Sequence, residues 1–336
     1  MACSLGVISL PHDVHTGISN FSSTFSANSH TSRREVFLNC HRVEAGIYKP
    51  FPKIVLGKKV EVKAFIEIMR PHNCILAGVV GILGSLVAYE GIPSIEKLGL
   101  VFLVVYLGCS AGNTINDYFD VEIDRVNRPN RPIPRGAIPR KVALYYALLQ
   151  YMLGLALARF LGVEALLFAL GAYALTFIYA WKLKPLPFIG NVAVALLTAA
   201  TPIYGALGVG RVGLAGYLAI CAFLVNVSRE IMKDIEDIEG DMKMGAKTLP
   251  IIIGKRRAAM ISSIFGVLTV ITSFLPVKVG IGLGYAPIIL VDAMILKASI
   301  DVVKNPESAS KGQKTLKIAT FIAVISFLLG ALTKGV

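Results

Sequence analysis

Nine long apolar runs, separated by short polar segments, constrain this chain more than any other feature of its sequence. Each run is close to the ~20 residues with which an α-helix crosses ~30 Å of hydrocarbon. Hydrophobic residues make up 55% of the chain and charged residues only 16%. The sequence therefore predicts an all-α, polytopic membrane protein, a bundle of nine transmembrane helices around a central cavity. The predicted spans are 72–90, 97–116, 142–160, 163–181, 187–207, 212–228, 258–277, 280–301 and 316–334.

The basic residues of the loops are divided unequally between the two sides of this predicted bundle. The loops 115–141, 182–186, 229–257 and 297–317 carry 20 Lys or Arg, whereas the other loops and the C-terminal tail carry five. The positive-inside rule places the basic loops on the cytoplasmic side, or on its equivalent in an organelle. The formal net charge of +13 thus reports membrane orientation, and we expect no nucleic-acid partner.

The first part of the chain differs in composition from everything that follows. Its first 32 residues contain no Lys or Arg, one acidic residue and many Ser and Thr. This composition is typical of a plastid transit peptide, with an ordinary disordered tail as the alternative. We therefore predict a targeting leader over 1–60 and a nine-helix domain over 61–336, with the mature boundary near residues 55–62.

A row of aspartates ends the second predicted span. Asp117, Asp120 and Asp124 are spaced i, i+3 and i+7, which would place them within about 60° of one face of a continuous helix. Like charges at this spacing repel one another. The row therefore predicts a shared cation.

A second row with the same spacing, Asp234, Asp237 and Asp241, ends another span on the same side. Mg²⁺ prefers oxygen ligands, takes one or two carboxylates, and keeps its other positions for water and phosphate. Two such rows across a cavity predict Mg²⁺ ions that bridge to a diphosphate. Solvated surface acids are the alternative, but repetition of the row beside spans nearly free of acids argues against it.

Basic, amide and aromatic side chains near these rows are candidates for contacting an anionic substrate. Guanidinium groups suit bidentate phosphate contacts, and Lys acts as a point charge. Tyr179 precedes Lys182 by three residues, one turn of a regular α-helix. The substrate-binding candidates are Arg70, Asn73, Asn116, Arg128, Lys182, Asn226, Arg229 and Lys233.

Both acidic segments resemble motifs of a known family. The stretch "NDYFDVEID" is similar to the NDxxDxxxD signature of the UbiA-type intramembrane prenyltransferases, and "DIEDIEGD" resembles their second motif, DxxxD, at Asp237 and Asp241. The resemblance covers about residues 62–336. It implies nine helices with both motifs on the cytoplasmic side, and a prenyl diphosphate held through Mg²⁺. By this reading the first row with Asn116 holds one ion, the second row holds another, and Tyr179 lies near the allylic carbon.

Within that family, the stretches "RPHNCILAG", "NRPNRPIPRGAI" and "REIMKDIEDIEGD" most resemble the archaeal digeranylgeranylglyceryl phosphate synthases. This implies transfer of geranylgeranyl from its diphosphate to the hydroxyl of geranylgeranylglyceryl phosphate, a lipid-like acceptor.

The leader departs from an archaeal pattern. Either the chain is a fusion, or it is a plastid relative with an aromatic or chlorin acceptor. A membrane transporter is a more remote alternative, because carriers tend to place their acids at mid-membrane. The oligomeric state is left open.

Overall fold

Helices account for most of the residues that the structure, a computed structural model, describes: 61–89, 92–243 and 245–335. No β-strand occurs in these ranges, and the predicted all-α class is confirmed. The predicted leader over 1–60 lies outside the described residues, as does its boundary near residues 55–60.

Fourteen α-helices form the described part of the chain, and several are short segments that cap or extend the long ones. They are α1 (Val62–Met69), α2 (Pro71–Tyr89), α3 (Ile95–Phe119), α4 (Val121–Asn127), α5 (Arg140–Ala158), α6 (Val163–Ile178), α7 (Ile189–Gly208), α8 (Ala215–Glu236), α9 (Ile238–Lys243), α10 (Leu249–Ile253), α11 (Lys255–Ser273), α12 (Leu275–Lys278), α13 (Ile288–Lys304) and α14 (Ala309–Leu332).

Eight helices in the described ranges are long and apolar enough to cross a membrane. They correspond to the predicted spans other than 280–301. That span falls on α13, which has only 17 residues and is about 26 Å long. A short 3₁₀ turn, Leu283–Tyr285, precedes it. A multi-pass membrane protein is therefore confirmed, whereas the count of nine spans stays a prediction.

Two clusters of buried side chains hold the long helices together. One lies among α7, α8, α11, α13 and α14 and includes Ile231 and Phe327. The other lies among α3, α5 and α6 and includes Tyr151 and Tyr173. Residues of both clusters border a cavity that α2, α3, α6, α7, α8 and α14 surround.

Helices α2 and α7 touch backbone to backbone beside this cavity. The Ser85 hydroxyl donates a hydrogen bond of 2.8 Å to the Gly205 carbonyl oxygen. A Cβ atom added to Gly205 would lie 2.0 Å from the Gly81 carbonyl oxygen, and one added to Gly84 would lie 2.4 Å from the Pro202 carbonyl oxygen. Small residues permit such close approach between membrane helices, and here they fix the position of one wall of the cavity.

Candidate active site

A cavity of about 640 Å³ runs into the bundle from the end at which both acidic rows lie. Polar side chains line its mouth, among them Asn116, Tyr179, Asn226 and Arg229. The rest of the lining is mainly apolar, with several threonines, and extends along α3 as far as Val104. The twelve residues from Val104 to Asn116 span about 18 Å of helix. The cavity therefore joins a polar end beside the acidic rows to a long, mainly apolar chamber.

The first acidic row does not lie on one continuous helix, and this corrects the sequence analysis. Helix α3 ends at Phe119 and α4 begins at Val121, with Asp120 between them at φ −80° and ψ 2°. Its N–H still bonds to the Asn116 carbonyl oxygen at 2.9 Å, so the chain bends without losing its hydrogen bonding. Aspartate is a weak helix former, because its carboxylate competes for backbone groups.

The second acidic row is interrupted at the corresponding residue. Helix α8 ends at Glu236 and α9 begins at Ile238, with Asp237 between them at φ −88° and ψ 2°. The Asp237 N–H bonds to the Lys233 carbonyl oxygen at 2.9 Å. Each row thus has one aspartate in the last turn of a long helix, one at a bend, and one on a short helix beyond it.

Two arginines neutralise the buried members of the first row. Arg70 Nη2 lies 2.5 Å from Asp117 Oδ1, and Arg131 Nη1 lies 3.1 Å from the same oxygen and 2.5 Å from Asp124 Oδ2. Asp117 is 2% exposed and Asp124 is 4% exposed. Arg70 has a left-handed backbone (φ 55°), which is uncommon for a residue other than glycine and usually reflects a local constraint. The sequence analysis assigned Arg70 to substrate binding, whereas here it pairs with an aspartate.

Replacing Arg131 by alanine should destabilise the fold by about 3 kcal/mol, because one partner of a buried ion pair would be left without its counter-charge. Arg125→Ala is the matched control, since Arg125 pairs with Glu122 on an exposed surface and should change stability by less than about 1 kcal/mol. Thermal unfolding of both variants in detergent compares them. Equal Tm values would contradict the structural role of Arg131.

A π turn over Tyr179–Leu183 changes which lysine faces the acids. The Lys184 N–H bonds to the Tyr179 carbonyl oxygen at 3.0 Å, five residues back instead of four. Lys184 consequently reaches Asp120 and forms an ion pair with it. The predicted substrate ligand Lys182 instead lies with its Nζ 4.0 Å from the centroid of the exposed Trp181 ring.

The second row carries little compensating positive charge. Asp234 Oδ2 accepts a hydrogen bond of 2.8 Å from Asn191 Nδ2, on the first turn of α7. Among the side chains that the structure describes, Asp234, Asp237 and Asp241 form no ion pair. Burial, followed by the negative charge of Asp237, raises the pKa of Asp241. The negative charge of the second row is therefore less balanced than that of the first, so a bound cation would stabilise the second row more.

Tyr179 connects the two rows in space. It lines the cavity mouth, and its hydroxyl is within electrostatic range of Asp120 from the first row and of Asp234 and Glu230 from α8. The structure thus brings both rows to one opening, with Tyr179 between them. The role that the sequence analysis gave Tyr179 stays a prediction.

The remaining predicted substrate ligands divide into two groups. Asn226 and Arg229 line the cavity, and Arg229 also pairs with the neighbouring Glu230. Asn73, Arg128 and Lys233 are exposed, and Lys233 Nζ lies 3.9 Å from a carboxylate oxygen of Glu230.

Several polar residues of this region were not found by sequence reasoning: Asn113, Lys184, Asn191 and Glu230. Most of them lie within a few residues of a predicted ligand. Position along the chain therefore gave no reason to choose them over the residues that were predicted. Asn191 is the exception, because it follows the Phe188 turn (φ 63°) and lies far from both acidic motifs in the sequence.

Oxygen atoms suited to a divalent metal are present, but they do not form a complete ligand set. In the described ranges, no group of three or more His, Cys, Asp or Glu side chains is arranged to hold a metal ion. Asn116 Oδ1 is buried and has no hydrogen-bond partner in this part of the chain, although Asn116 lines the cavity. Because Mg²⁺ takes few carboxylates and fills its shell with phosphate and water, these residues fit a metal whose coordination a substrate completes.

Comparison with known proteins identifies close relatives. A family model described as the UbiA prenyltransferase family matches residues 77–325. The digeranylgeranylglyceryl phosphate synthase of Pyrococcus horikoshii is 79% identical over 277 residues, which are 82% of this chain and 100% of that protein.

Solved structures have the same fold. One, described as giving insights into the biosynthesis of digeranylgeranylglyceryl phosphate synthase in membranes, matches with a TM-score of 0.76 and 37% identity, over 81% of this chain and 98% of that one. A UbiA homologue from Archaeoglobus fulgidus bound to GPP and Mg²⁺ matches with a TM-score of 0.60 over 80% of this chain and 99% of that one. Its identity is 19%, so this second likeness concerns the fold alone.

Proposed function

The chain belongs to the UbiA prenyltransferase family, and on that premise we propose that it transfers a geranylgeranyl group from geranylgeranyl diphosphate to the hydroxyl of geranylgeranylglyceryl phosphate. The observation that carries this proposal is the 79% identity to a digeranylgeranylglyceryl phosphate synthase over that protein's full length. The product would be a phosphoglycerol with two prenyl ethers. The enzyme is an integral, multi-pass membrane protein.

The cavity has the shape that a prenyl diphosphate needs. Its apolar length of about 18 Å along α3 suits an isoprenoid chain, and its polar mouth suits a diphosphate. The chamber wall includes Phe168, Leu197 and Val324. Such a wall excludes water, which would otherwise capture an allylic cation in place of the acceptor.

The charged groups at the mouth suit departure of a diphosphate. The sequence analysis assigned the whole first row to Mg²⁺, but arginines pair with Asp117 and Asp124. We therefore propose that Asn116, Asp120 and the second row would hold the ion. When bound there, Mg²⁺ would supply positive charge to offset the charge that develops on the leaving diphosphate. Arg229 supplies fixed positive charge from the cavity wall, and preorganised charge of this kind lowers a barrier without reorganisation during the reaction. Arg70 and Arg131 hold Asp117 and Asp124 in place.

Tyr179 suits stabilisation of the allylic cation. Aromatic faces attract positive charge, and Tyr179 lies between the two rows at the junction of the polar mouth and the apolar chamber. We place the cleaved C–O bond beside this ring. The acceptor hydroxyl then forms the new ether bond at the same carbon, and its proton passes to the released diphosphate.

We place the cavity mouth on the cytoplasmic side, or on the stromal side if the leader directs the chain to a plastid. The reason is that the mouth shares its end of the bundle with the loops that carry 20 of the Lys and Arg residues. A transporter fits this arrangement poorly, because both acidic rows lie at one end of the spans and not at mid-membrane.

The decisive experiment offers the purified full-length protein geranylgeranyl diphosphate with a panel of acceptors. We expect geranylgeranylglyceryl phosphate to gain one geranylgeranyl mass, with release of diphosphate. A chelator should abolish the reaction and added Mg²⁺ should restore it. Transfer to a phenolic or chlorin acceptor, with none to geranylgeranylglyceryl phosphate, would refute the proposed acceptor. It would support the alternative that the chain prenylates an aromatic or chlorin compound.

A further inference from the structure

Lys317 is a basic residue of the cavity wall that the chemistry above does not use. It lies on α14, and Thr320 and Phe321, about one turn further along, line the same cavity. Its side chain is exposed. Among the residues that the structure describes, no ion pair or hydrogen bond is recorded for its ammonium group.

Five other cations around the mouth already have partners, and the exposed Arg128 does not line the cavity. Arg70 and Arg131 pair with the first row, and Lys184 pairs with Asp120. Arg229 pairs with Glu230, and Lys182 lies over the Trp181 ring. In the described part of the cavity wall, the positive charge that is not balanced by an acid is that of Lys317.

Helix packing places Lys317 at the depth of Arg229. Helices α8 and α14 are antiparallel there, since Glu236 accepts hydrogen bonds from Ser310 and Gln313. They are in contact where Gly312 meets Met232, and a Cβ atom on Gly312 would lie 2.8 Å from the Met232 sulfur.

From that contact, Lys317 lies five residues further into the bundle along α14, about 8 Å. Arg229 lies three residues further in along α8, about 5 Å. Asp234, by contrast, lies two residues toward the mouth. Lys317 and Arg229 therefore share one level, just inside the acidic rows.

We propose that Lys317 binds the phosphate group of the lipid acceptor, and so determines specificity for a phosphorylated acceptor. This inference rests on the proposed function. The acceptor hydroxyl must reach the allylic carbon, and only a glycerol backbone separates that hydroxyl from its phosphate. The acceptor phosphate must therefore bind close to the diphosphate. Two anions in one cavity mouth repel each other, so the acceptor phosphate needs a cation that is not already paired with the diphosphate.

The position of Lys317 is suited to a substrate that arrives from the membrane. Leu76 on α2 and Phe321 on α14 both line the cavity and are about half exposed, and we infer that the chamber opens toward the lipid between these helices. An acceptor lipid passing there keeps its tail in hydrocarbon and its phosphate at the level of Lys317. A phosphate monoester is the ligand class that we assign.

The test compares Lys317→Gln and Lys317→Arg with the wild type and with Lys314→Gln. Lys314 is an exposed lysine one turn away on the same helix that does not line the cavity. Each protein is assayed with geranylgeranylglyceryl phosphate and with its dephosphorylated form, geranylgeranylglycerol, at saturating geranylgeranyl diphosphate. The ratio of kcat/KM for the two acceptors is independent of how much of a variant is folded.

We expect Lys317→Gln to raise the KM for the phosphorylated acceptor on the order of tenfold, as loss of a charged hydrogen bond would. The KM for geranylgeranyl diphosphate and the rate with the dephosphorylated acceptor should stay unchanged, and Lys317→Arg and Lys314→Gln should retain the preference for phosphate. An unchanged preference in Lys317→Gln would overturn the proposal and would mean that Lys317 contacts only bulk lipid headgroups. If the wild type transfers nothing to either acceptor, the proposed function itself fails, and this assignment falls with it.

Discussion

Replacing Asp120 or Asp237 by asparagine is expected to lower prenyl transfer on the order of a thousandfold, as loss of a preorganised electrostatic group at a reacting centre does. The two residues occupy equivalent bends at the ends of α3 and α8. Each substitution removes one charge and keeps the volume of the side chain, so folding should be preserved. Turnover is measured as release of diphosphate in the presence of Mg²⁺.

The matched controls are Glu122→Gln and Glu239→Gln. These exposed acids lie two residues beyond each bend, on the same short helices, so they test whether any loss of negative charge in this region has the same effect. Both should retain near wild-type turnover. Near-normal activity of Asp120→Asn or Asp237→Asn would contradict the metal role of its row. If the controls lost as much activity, the loss would reflect the total negative charge of the region and not these two residues.

Replacing Gly205 by valine is expected to prevent correct folding, at a cost of more than about 4 kcal/mol. The new Cβ would lie 2.0 Å from the Gly81 carbonyl oxygen and 2.9 Å from the Ser85 nitrogen. All the opposing atoms are backbone, so α2 and α7 would have to separate. Because both helices line the cavity, activity should be lost with the fold.

Gly171→Ala is the control, since a Cβ at this helical residue of α6 meets nothing within 4 Å and alanine favours the helix. The yield of monodisperse protein in detergent and its Tm compare the two variants. A Gly205→Val protein with wild-type Tm would show that the contact between α2 and α7 is looser than the structure has it.

The positions of the spans and of the acidic rows could be predicted because they depend on patterns that are local in sequence. A run of some twenty apolar residues predicts a membrane helix wherever it occurs, and the repeated spacing of the aspartates identifies the end of the bundle to which they belong. The shared mouth of the two rows followed from counting basic residues on loops.

The exact partners of the acids could not be predicted, because they depend on irregular backbone turns that the residue types do not indicate. Counting 3.6 residues per turn from Tyr179 selects Lys182, whereas the π turn directs Lys184 to Asp120. The turns of the Pro-rich loop expose Arg128 and hold the partly buried Arg131 against two carboxylates. Neither outcome has a signature in the sequence.

Long-range contacts were inaccessible for a different reason. Asn191 reaches Asp234 across 43 residues, and Lys317 reaches the cavity from a helix whose sequence carries no acidic motif. Such residues become neighbours only when the helices pack. The sequence of a single chain does not show which helix faces meet.

The paired bends at Asp120 and Asp237 have a mechanical consequence. In each, a single residue with ψ near zero joins a rigid membrane-spanning rod to a short terminal segment that bears the last carboxylate of its row. The backbone hydrogen bonds continue through both bends, so each short segment is held at a fixed angle to its rod. The carboxylates of a row are therefore set in place before a substrate arrives, and none of the binding energy has to be spent on ordering them.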